Sequence, residues 1–164
     1  MNERGVHIDY VFEYNWQVRD EWFDWCKQLT PEELLNDHKG GVRNILYTLF
    51  HIIDVEYSWI RGIQGKEDIV FSFADYNTLE MVKSLSDTLR DEILVYLKTN
   101  LNESKDEPIH VPWDEDEYTK DEILHHIIAH EIHHIGQLSV WARELDRSPV
   151  SANFIGRKLN YIKK

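Results

Sequence analysis

Apolar residues along the chain recur at helical spacing in five segments, and no comparably strong alternating pattern competes with them. The first runs from Ile8 to Leu29, with Tyr10, Phe12, Tyr14, Trp16, Val18, Trp22 and Phe23 supplying its bulk. Thr30-Pro31-Glu32-Glu33 then has the spacing of a capping box with proline at the first helical position, which predicts a short turn of helix through Leu35. A second long helix is predicted from Val42 to Gly62, after Gly40-Gly41. A third begins near Asn77 or Thr78 and runs to Leu101. Thr119-Lys120-Asp121-Glu122 is the clearest start, because capping-box spacing coincides with acids at the positive end of a helix, and the pattern then continues to Leu145.

Four long helices in one chain predict an all-α four-helix bundle. Its longest connection, Leu101 to Tyr118, precedes the last long helix and is long enough to cross the bundle. Pro108 and Pro112 bracket an extended piece there, Ile109-His110-Val111. Beyond Ser148-Pro149 a short terminal helix is expected from Ala152 to Ile162. Residues 1–164 are expected to form a single domain, since the length suits one core.

Composition narrows the function. A net charge of -12 repels phosphate backbones and anionic lipid headgroups, so neither a nucleic acid nor a membrane is expected as a partner. Nine acidic residues against two lysines between Asn102 and Glu122 read as a solvated connection. No apolar run is long enough to span a bilayer, and the first residues lack the order of a secretion signal. The single cysteine, Cys26, excludes an intrachain disulfide and reads as a packing residue. A cytoplasmic location is the expectation.

What the charge does not explain is the stretch from His125 to His134, which holds five of the nine histidines in ten positions. On a helix His130 and His134 sit one turn apart, about 40° around the axis, so both imidazoles can reach one ion. Such a pair suits a first-row divalent metal, bound by neutral ring nitrogens. His126 and Gln137 continue the same face and are candidates for supporting the ligands, while His125 and His133 are predicted to face solvent. A third ligand must come from another element. His51, midway along the second long helix, is the best placed by position, although it points away from the apolar arc of Val42, Leu49, Ile53 and Ile60. His130-Glu131-Ile132-His133-His134 also fits the H-E-x-x-H pattern of zinc proteases, but no further histidine follows at metzincin spacing and no substrate-binding edge strand is visible. Glu131 falls within the apolar arc, which suits pairing with a basic group or holding a ligand.

The segments His51-Ile52-Ile53-Asp54-Val55-Glu56-Tyr57-Ser58-Trp59 and His130-Glu131-Ile132-His133-His134-Ile135-Gly136-Gln137 together resemble the two motifs of the DinB/YfiT superfamily of metalloenzyme-like proteins. That resemblance implies a bundle with a crossover connection and a divalent ion, zinc or nickel, on His51, His130 and His134. It also implies open coordination positions for water or a small-molecule substrate, and for some relatives a low-molecular-weight thiol used in S-transfer or isomerisation. Hydrolysis is the other reaction class it leaves open, and a non-enzymatic metal or small-molecule binding protein is the alternative. A homodimer is among the assemblies the resemblance implies. The tail from Ser148 to Ile155 follows the family only loosely, and Arg43, Arg61 and Arg143 are the basic residues near the motifs.

Overall fold

The computed structural model describes residues 8–100 and 107–159. Its long helices are α1 (Ile8–Cys26), α3 (Ile45–Ile63), α4 (Leu79–Asn100) and α5 (Lys120–Glu144), with the short α2 (Pro31–Leu35) between the first two. α1 packs on α4 and α5, and α3 packs on the same two helices, so α1 lies diagonally opposite α3 and α4 diagonally opposite α5. The connection from α4 to α5 therefore crosses the bundle. Part of it is an antiparallel two-stranded ribbon, β1 (Ile109–His110) with β2 (Glu117–Tyr118), in which Ile109 faces Tyr118. Only the first of these strands is visible in the sequence, because Glu117-Tyr118 follows an acidic run with no apolar alternation. Among the described residues, no helix is long and apolar enough to cross a membrane.

Caps set the helix boundaries. Both predicted capping boxes form: the Thr30 hydroxyl accepts from the Glu33 amide, and the Thr119 hydroxyl from the Glu122 amide. α3 starts at Ile45, three residues later than the periodicity suggests, because the Asn44 side chain accepts from Tyr47 N at 2.8 Å and Arg43 has a φ of 104° that no helix tolerates. The terminal helix expected over Ala152–Ile162 does not form in its described part, residues 152–159, which is irregular with a turn at Ile155-Gly156. Side chains take the carbonyls that such a helix needs: Tyr14 Oη donates to Ala152 O at 2.5 Å, and Arg157 donates to Ser151 O and Asn153 O. Residues 160–162 of that expectation lie outside the described residues.

One apolar core runs through the bundle and includes Phe12, Trp22, Leu49, Ile53, Ile93, Ile127, Leu138 and Trp141. Inside it lies a charged cluster that the four long helices share. Arg19 of α1, 0% exposed, donates from Nε and Nη2 to the two carboxylate oxygens of Glu131 at 2.8 and 2.6 Å, and from Nη1 to Glu56 Oε2 at 2.9 Å. Trp16 Nε1 donates to the other Glu56 oxygen at 2.8 Å, and Ser86 of α4 lies 3.5 Å from Arg19 Nη1. Every carboxylate oxygen in the cluster has a donor. A guanidinium fork is suited to that task, and its five N–H groups are shared between two acids from facing helices.

Candidate metal centre

α3 and α5 pack side by side, and this brings His51 level with the turn of α5 that carries His130 and His134. His130 Nε2 stands 3.1 Å from His51 Nε2 and 3.1 Å from His134 Nε2, and the three ring nitrogens all lie within 4.8 Å of one another. Two nitrogens each about 2.05 Å from a tetrahedral ion are about 3.3 Å apart, so the spacing is close to what one divalent cation imposes. Among the described residues, no cysteine, carboxylate or further histidine joins this group.

The hydrogen bonds behind the imidazoles decide which nitrogen faces inward. Gln137 donates from Nε2 to Gly40 O at 3.0 Å, with His133 Nε2 also 3.2 Å away, which fixes the amide and leaves Oε1 as an acceptor. His134 Nδ1 lies 2.7 Å from that oxygen and must be the donor, so His134 Nε2 presents a lone pair to its two neighbours. His130 Nε2 faces both of the other nitrogens and has only one site for a proton or a lone pair, so it cannot form a full hydrogen bond to each of them. A cation answers that arrangement, and the residues fit one.

The same packing keeps the rings neutral. Burial, with the neighbouring His134 second, pushes His51 down to about 4. Burial and the surrounding imidazoles push His130 down to about 3, and burial lowers His134. Neutral imidazoles are the ligating form, so little proton competition remains at neutral pH.

The other residues singled out in the sequence fall in distinct places. Glu131 turns into the core to Arg19, and its carboxylate is bonded there, not to an imidazole. His126 is exposed; its ring lies 5.9 Å from His130 and 5.3 Å from Trp59, with no hydrogen bond to a ligand. His133 is exposed as expected, yet its ring lies 5.1 Å from His134. His125 bonds to Asp121 on the outer surface.

Two features around the centre carried no signal that the periodicity could reveal. Tyr47 stacks on His51 at 6.1 Å and 10°, one turn earlier on α3. The loop Asp37–Asn44 is fastened to α5 through side chains distant in sequence: His38 stacks on Trp141 at 4.7 Å, Trp141 Nε1 donates to Lys39 O at 3.1 Å, and Gln137 bonds Gly40. Gly41 lies so close to Trp141 that a Cβ would sit 2.4 Å from the ring, which is why glycine stands there. The Gly-Gly pair was the one hint of a close approach.

A bundle whose helices are joined across the diagonal, with one imidazole on α3 and two on α5, is the arrangement that the sequence motifs suggested. A profile of the DinB family matches residues 1–160, and the chain belongs to that family. It is similar, at 72% identity over 152 residues, to a Bacillus subtilis (strain 168) protein described as uncharacterized and named YizA; the match spans 92% of this chain and 96% of that one.

Proposed function

We propose that the chain is a small-molecule metalloenzyme in which His51, His130 and His134 hold one divalent ion, zinc or nickel, and leave coordination positions open. The observation that carries this reading is the convergence of three Nε2 atoms with two contacts of 3.1 Å, one of them given its inward lone pair by Gln137. An ion with three neutral ligands keeps its full charge and supplies Lewis acidity, bringing a water or a thiol towards deprotonation near neutral pH.

Of the reaction classes, thiol-dependent S-transfer is favoured over hydrolysis. Glu131, the residue that would serve as general base in an H-E-x-x-H protease, is 1% exposed and holds Arg19 with both oxygens. Both oxygens are already committed to that guanidinium in the core, so the carboxylate is not placed as a free base. A thiol needs less help, because its own acidity lies far closer to neutrality than that of water. The acidic surface argues for a small-molecule substrate, and the lone buried cysteine is compatible with a reducing, cytoplasmic setting. Elemental analysis of tag-free protein tests the reading: one divalent ion per chain is expected, lost in His130→Ala and His134→Ala. Protein that folds normally and retains no metal on addition of zinc or nickel would refute it.

A further inference from the structure

The loop that Gln137 ties to the histidine helix ends at Arg43, and that residue has no structural duty equal to its cost. Its φ of 104° lies where a side chain is strained. The same loop uses glycine at Gly40, whose φ is 79°, so glycine would be the unstrained choice at position 43 as well. What the arginine contributes to the fold is slight. Its backbone carbonyl accepts from His38 N at 2.6 Å, which glycine would do equally. Its side chain is 60% exposed, and its one ion-pair partner among the described residues is Asp37, also largely exposed, at 4.0 Å. Such a pair at the surface adds little to stability.

The placement of the guanidinium is more informative. Its Cζ sits over the Tyr47 ring at 5.3 Å, and Tyr47 lies parallel to His51 at 6.1 Å. Arg43, Tyr47 and His51 therefore form a stack that leads from the surface to the imidazole centre. Tyr47 holds the guanidinium from one side by cation–π attraction, while the terminal nitrogens take no acceptor among the described residues. On a chain of net charge -12, a positive group two stacking contacts from His51 favours anions against the field of the rest of the molecule.

Resting on the metal reading above, we propose that Arg43 recognises a carboxylate on the molecule bound at the three-imidazole centre. The ligand is then a bifunctional one, with a metal-seeking atom at one end and a carboxylate two stacking steps away. A planar fork pairs with both oxygens of such a group. Arg43 is a specificity residue and takes no part in holding the ion.

The test uses cobalt(II)-loaded full-length protein and two series of probes matched in chain length, ω-mercaptocarboxylates and ω-mercaptoalcohols, with binding read from the thiolate-to-cobalt absorption. At one chain length the carboxylate is expected to bind about tenfold more tightly than the alcohol, the scale of one partly solvated charge-assisted contact. In Arg43→Gln the two probes are expected to bind alike, and Arg43→Lys recovers part of the preference. Arg43→Gly is expected to lose the preference while raising the thermal midpoint. Equal binding of both series to the wild type, or a preference that survives in Arg43→Gln, overturns the inference while leaving the metal reading intact. Failure of the wild type to take up cobalt at all removes the metal reading, and this inference with it.

Discussion

Replacing Arg19 by methionine isolates the charged cluster at the centre of the bundle, because methionine fills similar volume and removes only the cation. Glu131 then loses both of its donors, while Glu56 keeps the Trp16 indole on one oxygen. Two acids 1% and 3% exposed cannot both remain ionised without a partner, so one takes up a proton. Against an ordinary value of 4.5 for Glu131, protonation at pH 7 costs about 3.4 kcal/mol at ~1.36 kcal/mol per pH unit, and lost hydrogen bonding adds about 1 kcal/mol. The expected loss is ~4 kcal/mol, a large part of the stability of a domain of this size. The pH dependence carries the diagnosis. An acid whose folded-state pKa is raised contributes least where it must ionise, so the loss grows with pH and is expected to shrink to about 1.5–2 kcal/mol at pH 5. Urea unfolding followed by tryptophan fluorescence at both pH values measures it, and adding Glu131→Gln to Arg19→Met is expected to restore about half. A loss below about 1 kcal/mol at pH 7, or one no smaller at pH 5, would refute the reasoning.

Asp54, held up at about 6 by burial and by the charge of Asp68, is protonated in the fold at a pH where the unfolded chain, at 3.8, is ionised. Its contribution therefore declines as pH rises from 3.8 to about 6. After discounting for its partial contact with solvent, Asp54→Asn is expected to be ~1 kcal/mol more stable than wild type at pH 7.5, with the gap closing near pH 4, as checked by urea titration at each pH. Gln137→Leu frees the His134 tautomer and releases the loop at Gly40; zinc affinity by competition with a chelating dye is expected to fall about 10- to 100-fold with the fold retained. Gly41→Ala forces a methyl group against the buried Trp141 ring, and a loss of ~1–3 kcal/mol in denaturant unfolding is expected.

The fold was legible because its signals are local. Thr30 and Thr119 announce their helices through side chains three residues from their partners, and the expected bounds of α5 differ from the observed ones by a single residue at each end. Where boundaries shifted, the cause was a particular side-chain bond or backbone angle that periodicity does not register. Tyr14 and Arg157 claim the carbonyls near Ala152, and the turn at Arg43 delays α3. His130 and His134 declare themselves by their own spacing, and His51 does not. By periodicity alone it belongs to the polar side of α3, and only the packing of α5 against that side converts it from a surface histidine into a partner of the other two. Resemblance to the family supplied what spacing could not. Arg19 was invisible for a related reason, since a buried cation is recognisable only once Glu56 and Glu131 arrive from other helices.

X-ray absorption at the metal edge of the zinc-loaded protein tests the central claim most directly, because it counts the ligands. Three imidazole nitrogens at about 2.0–2.1 Å with at least one additional oxygen are expected, the oxygen giving way to sulfur when a thiol is added. A shell with fewer than three imidazoles, or one closed by a fourth protein ligand and unchanged by thiol, would contradict it.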